Sequence, residues 1–199
     1  MLTDYTLIAG VDEVGRGCLA GPVVAAAVLF KKGKEVKEAD DSKKLSAKER
    51  EEILKKIKKK AVAYAVGMAD VSEINRLNIV GATKLAMMRA IEGLSTKPEF
   101  LIIDYVKLDT DIPYIAPAKA DENYKVVGAA SILAKVYRDN LLIKLAQKYP
   151  HYLLDKNKGY GTAAHIDAIR KYGVQEIHRE AFVRKILAGW DIEQGELFD

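Results

Sequence analysis

The sequence is poor in the residues that build disulfide, zinc and membrane structures. Cys18 is the only cysteine among 199 residues, which excludes an intrachain disulfide and argues against a cysteine-based zinc site. The three histidines lie far from Cys18 in the chain, so a cysteine–histidine nucleophile is also disfavoured. No apolar run approaches the roughly 18 residues of a membrane-spanning helix, and Met1–Gly10 lacks the pattern of a signal peptide. We therefore expect a cytoplasmic protein without membrane contact.

Nucleotide-binding glycine motifs are also missing. No Gly-Lys-Ser or Gly-Lys-Thr tripeptide occurs, which excludes a P-loop. Gly15–Ala20 matches the loose dinucleotide pattern G-x-G-x-x-A, but that pattern has to open a helix. Because the apolar run after Pro22 predicts a strand, a nicotinamide or flavin site is disfavoured here.

The charges are unevenly distributed along a nearly balanced chain. The formal net charge is +4, yet Lys31–Lys60 holds 13 basic and 7 acidic residues. Such a segment suggests that one face contacts a polyanion, the alternative being a solvated helix surface. At the other extreme, Asp191–Asp199 holds four acidic residues and no basic residue, which suggests a flexible acidic tail.

Hydrophobic periodicity predicts strands and helices in a mixed order. Strands are expected at 7–12, 23–30, 61–69, 100–104 and 112–118, the first two forming a hairpin and the last, with two prolines, lying at an edge. Helices are expected at 46–59, 80–94, 126–148, 162–172 and 179–188, with Ser46 and Glu49 forming a capping box and Thr162 a cap. This order predicts an α/β domain with a mixed sheet and a helical C-terminal part.

Four acidic residues stand where chemistry is usually found in such folds. Asp12 and Glu13 end the first strand, Asp104 ends the strand at 100–104, and Asp121 precedes the long helix. Each could instead have a purely structural role, such as helix capping for Asp121. If they meet, their mutual repulsion requires cations, and hard oxygen ligands select Mg²⁺ or Mn²⁺. Two such ions about 4 Å apart would indicate phosphodiester hydrolysis.

Several segments resemble the signature of the ribonuclease HII family, in the family's order. They span about residues 7 to 182, and they are Gly10–Pro22, Asp41–Ser46, Ala129–Val136 with Arg138 and Asp139, and Lys158–Thr162. One departure is the segment Lys119–Glu122, which reads Lys-Ala-Asp-Glu where the family often has Lys-Gly-Asp-Ser. The acidic residue is kept, but its loop differs.

The resemblance implies a ribonuclease H-like mixed sheet flanked by helices, with a helical C-terminal extension. It divides the chain into a catalytic domain at 1–145, an extension at 146–190 and a tail at 191–199. It also implies two-metal hydrolysis that leaves a 5′-phosphate and a 3′-hydroxyl. The metal ligands would be Asp12, Glu13, Asp104 and Asp121.

The resemblance further assigns the substrate contacts. The backbone of Gly15, Arg16 and Gly17 would read the ribose 2′-hydroxyl, and Tyr160 would stack on the next sugar, which is preferably a deoxyribose. The expected substrates are RNA/DNA hybrids and DNA containing ribonucleotides, in ribonucleotide repair and primer removal, with the protein a monomer. Lys43 and Lys44 would hold the backbone beyond the cut, although a solvated loop is the alternative.

Two further interpretations stay open at this point. Gln194, Leu197 and Phe198 resemble the short peptide by which bacterial replication proteins dock on the sliding clamp. His178 and Arg179 begin the last helix, where a structural hydrogen bond is at least as plausible as a substrate contact. The rival functions are a DNA-only nuclease of the same fold, such as a junction resolvase, and a hybrid-binding protein with a decayed site.

Overall fold

A five-stranded mixed sheet forms the centre of the molecule. The structure is a computed structural model that describes residues 4–39 and 42–195, leaving aside the side chains of residue 43 and residues 189–195. The strands are β1 (Leu7–Val14), β2 (Val23–Lys31), β3 (Ala63–Ala69), β4 (Phe100–Ile103) and β5 (Tyr114–Ile115). Their order is β3-β2-β1-β4-β5, with β1, β2 and β3 antiparallel and β4 and β5 parallel to β1. The predicted hairpin and edge strand are confirmed.

The described residues also form seven helices. They are α1 (Ala47–Lys60), α2 (Val71–Glu92), α3 (Ala120–Asn123), α4 (Lys125–Lys148), α5 (Leu154–Asn157), α6 (Ala163–Tyr172) and α7 (Glu180–Gly195). The predicted capping box at Ser46 and Glu49 and the cap at Thr162 are both present. Such caps can be recognised from the sequence because the capping side chain accepts from a backbone N–H group only three residues away.

The two faces of the sheet bury separate apolar clusters, as period-two alternation requires. Ile8, Val28 and Ile102 pack on one face with α1 and α4, while Val11, Leu29 and Ile103 pack on the other with α2. Helix α4 lies very close to β1: a Cβ on Gly10 would stand 2.1 Å from the carbonyl carbon of Val126. Asp12, which lies on the same face of β1 as Gly10, is therefore held against α4.

A third apolar cluster joins the C-terminal helices to the end of α4. Leu142, Tyr152, Leu154 and Ile169 are buried there. The helical C-terminal part is thus confirmed, while its exact division into a separate unit stays a prediction. No helix in the described part of the chain is long and apolar enough to cross a membrane.

Three element boundaries differ most from those predicted. Helix α2 begins at Val71 instead of residue 80, because Asp70 and Glu73 form a second capping box, and Asn78 (φ 58°) kinks it. The edge strand shrinks to two residues. Helix α7 continues to Gly195, so the backbone of residues 191–195 is helical, where the sequence suggested a flexible tail. Leu197 and Phe198 lie outside the described residues.

Candidate active site

Two of the acidic residues meet at the carboxyl ends of adjacent parallel strands. Val11 pairs with Ile103, and the Asp104 backbone N–H donates to the Val11 carbonyl at 3.0 Å. Asp12 and Asp104, which follow these residues, are therefore neighbours about one interstrand spacing apart, roughly 5 Å. Both continue the rows of β1 and β4 that face α4.

The third position is set by a short turn of helix. The Ala120 N–H donates to Asp104 Oδ1 at 2.7 Å, which ties the start of α3 to the end of β4. Asp121, on α3, is 4% exposed and lines the same cavity as Asp12. The capping alternative is wrong, because Tyr124 occupies the N-cap of α4 and Asp121 Oδ1 accepts from the Glu122 N–H.

All four acidic residues line one cavity of about 350 Å³. Gly15, Arg16 and Tyr160 line it too, so the residues named from the sequence converge although they are scattered along the chain. Gly17 is exposed just beyond the lining, and Lys44 does not contribute to the lining. Lys43 belongs to a 3-10 turn at Ser42–Lys44, and its side chain lies outside the described residues.

Burial and mutual repulsion disfavour the charged forms of Asp12 and Glu13. Burial, followed by the nearby charge of Glu13, raises the pKa of Asp12 well above its usual value. Burial also raises the pKa of Glu13, against the opposing effect of Arg16, whose Nη1 is 3.2 Å from Glu13 Oε1. Glu13 Oε2 is buried and has no hydrogen-bond partner among the described residues. An oxygen-lined, electron-rich cavity of this kind fits a divalent cation.

The ligand set is not tightly assembled, however. In the described part of the chain, no three acidic, histidine or cysteine side chains stand as a compact metal-binding group. Part of the reason is visible in the hydrogen bonds: Asp12, Asp104 and Asp121 each turn an Oδ1 atom toward a backbone N–H. A divalent cation bound here would compete with these N–H groups for the Oδ1 atoms or use the second oxygen of each carboxylate.

Three cavity residues were missed by the sequence reasoning. Ser131 of α4 hydrogen-bonds Asp12 and lies 2.8 Å from Ser42, Oγ to Oγ. Lys135, one turn further on, pairs with Asp139 at 2.9 Å and has its Nζ 5.9 Å from the centre of the Tyr160 ring. A polar residue inside the small-residue run of α4 was the available signal, because such a position packs against the sheet.

Hydrogen bonds join the loop that carries Tyr160 to the loop after β1. The N–H groups of Leu19 and Ala20 donate to the Gly159 carbonyl at 2.8 and 3.2 Å. Arg138, fully buried, donates to the carbonyls of Ala20 and Lys158 at 3.1 and 2.7 Å. Tyr160 itself is 39% exposed, so its ring is held at the cavity mouth and accessible.

The histidines serve structure rather than chemistry in this arrangement. His165 and His178 are buried with their Nε2 atoms 3.3 Å apart, and His165 Nδ1 is 2.9 Å from the Tyr160 carbonyl. Burial lowers the pKa of His178 to about 4, so it is neutral at physiological pH. Cys18 is buried as expected, and burial raises the pKa of its thiol, which disfavours a nucleophile.

The basic segment does not form one face at the cavity. β2 starts beside the cavity at Val23 and runs away from it, so that Lys31 pairs with Leu7 at the far end of the sheet. Helix α1 also leads away, since Lys60 lies beside Gly33 and Lys34. Only the part near Ser42–Lys44 is close to the site, where Arg16 and Lys135 add positive charge.

Comparison with known proteins decides the family. The ribonuclease HII family model matches residues 9–185. A ribonuclease HII of Staphylococcus saprophyticus is 51% identical over 176 residues, which are 88% of this chain and 69% of the relative. The chain belongs to the ribonuclease HII family. It is therefore a ribonuclease H-type hydrolase, and the DNA-only resolvase alternative is wrong.

Solved structures of ribonuclease HII proteins share the fold. Ribonuclease H2 of Pyrococcus horikoshii has a TM-score of 0.76 at 29% identity, covering 90% of this chain and 96% of that chain. The ribonuclease HII in a complex with PCNA from Archaeoglobus fulgidus has a TM-score of 0.74 at 27% identity, covering 87% and 93%. The predicted ribonuclease H-like fold is confirmed.

Proposed function

We propose that this enzyme is an endonuclease that hydrolyses the RNA strand of RNA/DNA hybrids and cuts on the 5′ side of ribonucleotides embedded in DNA. The products would be a 5′-phosphate and a 3′-hydroxyl. The observation that carries the proposal is the single cavity shared by four acidic residues, a glycine-rich loop and an accessible tyrosine ring. Ribonucleotide repair and primer removal are the corresponding tasks.

The acidic residues would hold the metal ions. Asp12, Glu13, Asp104 and Asp121 supply only oxygen ligands, which suit Mg²⁺ or Mn²⁺. Two such ions, when bound, would polarise the scissile phosphate, lower the pKa of the attacking water and stabilise the leaving oxygen. Two of the four side chains are oriented by neighbours: Ser131 hydrogen-bonds Asp12, and the Ala120 N–H donates to one oxygen of Asp104, which leaves its other oxygen for a cation.

The two loops at the cavity mouth would choose the sugar. RNA differs from DNA by its 2′-hydroxyl, and backbone groups of Gly15–Gly17 can approach a sugar closely because two of these residues lack side chains. Tyr160 would stack against the following sugar and favour a deoxyribose. Arg16 and Lys135 would contact phosphates, with Lys43 and Lys44 further along the backbone.

The C-terminal tail is proposed as a clamp-binding peptide. Gln194, Leu197 and Phe198 supply the pattern, and the related protein from Archaeoglobus fulgidus was solved in a complex with PCNA. Deleting residues 194–199 should abolish pull-down by a bacterial sliding clamp and leave nuclease activity intact. Unchanged pull-down would refute the docking role.

A cleavage assay on matched duplexes tests the activity. One duplex carries a single ribonucleotide and the other is all DNA, and each is assayed with Mg²⁺ and with Mn²⁺. We expect cleavage only of the first, 5′ to the ribonucleotide. Cleavage of both duplexes would refute the sugar selection, and cleavage of neither duplex in either metal would refute the proposed specificity for single ribonucleotides.

A single substitution tests the metal role of Asp104. Asp104→Asn should lower turnover by at least about a hundredfold, while affinity for the duplex stays near that of the parent enzyme. A loss of this size exceeds what is usual for a residue that only hydrogen-bonds a metal ligand. Asp111→Asn is the matched control, because Asp111 is exposed outside the cavity. Near-normal turnover of Asp104→Asn would exclude this residue as a ligand.

A further inference from the structure

A fully buried arginine lies directly behind the loop proposed to sense ribose. Arg179 immediately precedes α7 and is 0% exposed. Its Nη1 donates to the Arg16 carbonyl at 2.8 Å, and its Nε donates to the Gly21 carbonyl at 2.9 Å. The guanidinium therefore links the C-terminal part of the chain to the middle of the Gly15–Gly17 loop.

The guanidinium of Arg179 is stabilised by two carbonyl acceptors and by the Phe182 ring, whose centre lies 5.5 Å away, but not by a carboxylate. In the described residues, neither an ion pair nor a carboxylate hydrogen bond reaches Arg179, and its Nη2 is buried without a partner. Burial lowers the pKa of Arg179 to about 10, so the side chain is still charged at neutral pH. Buried charges without a counter-ion are costly, and apolar replacements are often at least as stable.

The geometry of the peptide bond between Arg16 and Gly17 shows how Arg179 orients the loop. The described chain has no cis peptide bond, and in a trans peptide the C=O and N–H groups point in opposite directions. Because the Arg16 carbonyl points inward to Arg179, the N–H of Gly17, which belongs to the same peptide unit, points outward. Gly17 is exposed, a Cβ there would meet nothing within 4 Å, and its N–H has no acceptor among the described residues.

We propose that Arg179 is a positioning residue for sugar recognition, which holds the Arg16 carbonyl inward and thereby aims the Gly17 N–H at the ribose 2′-hydroxyl. This inference rests on the proposed function and deepens it. The positive charge behind the carbonyl also polarises the peptide unit, which makes the Gly17 N–H a stronger donor. Arg179 touches no reacting atom and acts only through the loop.

The test compares affinities for two duplexes that differ by one 2′-hydroxyl. Binding is measured with Ca²⁺ as the hard cation, and gels verify that the duplexes stay intact. For Arg179→Met we expect the preference for the ribonucleotide duplex to fall by about tenfold, the value of one lost hydrogen bond to a polarised donor. Affinity for the all-DNA duplex should change by less than about twofold, because phosphate contacts dominate it.

Two further variants separate positioning from general stability. Arg179→Lys keeps the charge but reaches fewer carbonyls, so its preference should lie between those of Arg179→Met and the parent. Arg89→Lys is the matched control: Arg89 also donates to a carbonyl, that of Met68, and pairs with Glu73, but on the far face of the sheet. Its sugar preference should equal that of the parent enzyme even if its melting temperature falls.

The outcomes distinguish the proposed role of the Gly15–Gly17 loop from the proposed role of Arg179. A parent enzyme that binds both duplexes equally would overturn the sugar-sensing loop itself, and this inference with it. A parent that prefers ribose, together with Arg179 variants that keep the full preference, would overturn the role of Arg179 alone. If Arg179→Met fails to fold, an unchanged preference in Arg179→Lys is sufficient to refute the inference.

Discussion

Replacing Asp12 with asparagine should stabilise the metal-free enzyme while inactivating it. The folded state raises the pKa of Asp12 above its usual value of 3.8, mainly through burial. A raised carboxyl pKa means that the folded state holds the proton more tightly than the unfolded state. Stability is therefore lost as the pH rises from about 4 through the folded-state pKa, because ionising the buried Asp12 destabilises the metal-free fold.

The size of the effect follows from linkage. Every tenfold difference in proton affinity between the two states corresponds to about 1.4 kcal/mol, or about 3 to 6 °C in the melting temperature of a domain this large. Asparagine removes this cost and retains an oxygen for the Glu13 N–H, which donates to Asp12 Oδ1 at 2.7 Å. We therefore expect Asp12→Asn to melt several degrees higher than the parent at pH 7.5 in EDTA.

Addition of metal should reverse the ranking. The parent enzyme should gain about 2.7 kcal/mol at a cation concentration a hundred times the dissociation constant, whereas Asp12→Asn should gain much less and show turnover reduced by orders of magnitude. The exposed Asp111→Asn variant should follow the parent within about 0.5 kcal/mol. An Asp12→Asn variant that melts below the parent in EDTA, or that gains equally from Mn²⁺, would refute the reasoning.

Three other predictions follow from the same site. Gly15→Ala should lose about 1 to 3 kcal/mol of unfolding free energy and raise KM, since Gly15 has φ +90° and its Cβ would lie 2.2 Å from Arg138 Nε; Gly33→Ala, at φ +77° in open space, should lose less and keep its KM. Mn²⁺ affinity, measured by calorimetry, should fall as the pH drops through a range above that of ordinary carboxylates, because the pKa values of Asp12 and Glu13 are raised and protons compete; a flat profile from pH 5.5 to 7.5 would contradict this. Tyr160→Ala should lower kcat/KM about tenfold or more through lost stacking, whereas Tyr160→Phe should stay near the parent; equal losses would point to the hydroxyl instead.

Local features of the fold can be predicted from the amino-acid sequence alone. The caps at Ser46 and Thr162, the hairpin of β1 and β2 and the edge position of β5 all depend on residues close in the chain or on simple alternation. The start of α2 was missed although Asp70 and Glu73 carry the same capping signal as Ser46 and Glu49, because the apolar pattern before the kink at Asn78 is weak.

The candidate site likewise contains residues that the sequence could predict and residues that it could not. Asp12, Glu13, Asp104 and Asp121 could be named from their places after apolar strands and before a helix, together with the family resemblance. Ser131 and Lys135 could not, because their roles depend on which face of α4 meets the sheet. Arg179 could be named but not its carbonyl partners, which depend on how the C-terminal part returns to the first loop. The basic segment shows the limit most clearly, since its charges are adjacent in sequence yet Lys31, Lys34 and Lys60 lie at the opposite end of the sheet from the cavity.

The chain by itself determined the periodic elements, the four candidate carboxylates that line the cavity and the family, since these depend on short-range hydrogen bonding, alternation and motif order. Only the tertiary structure decided which side chains stand behind the site and which backbone groups face the substrate. The physical reason is that an inward carbonyl at Arg16 and a buried guanidinium at Arg179 are brought together by packing between distant segments, and nothing within a few residues of either one specifies the other.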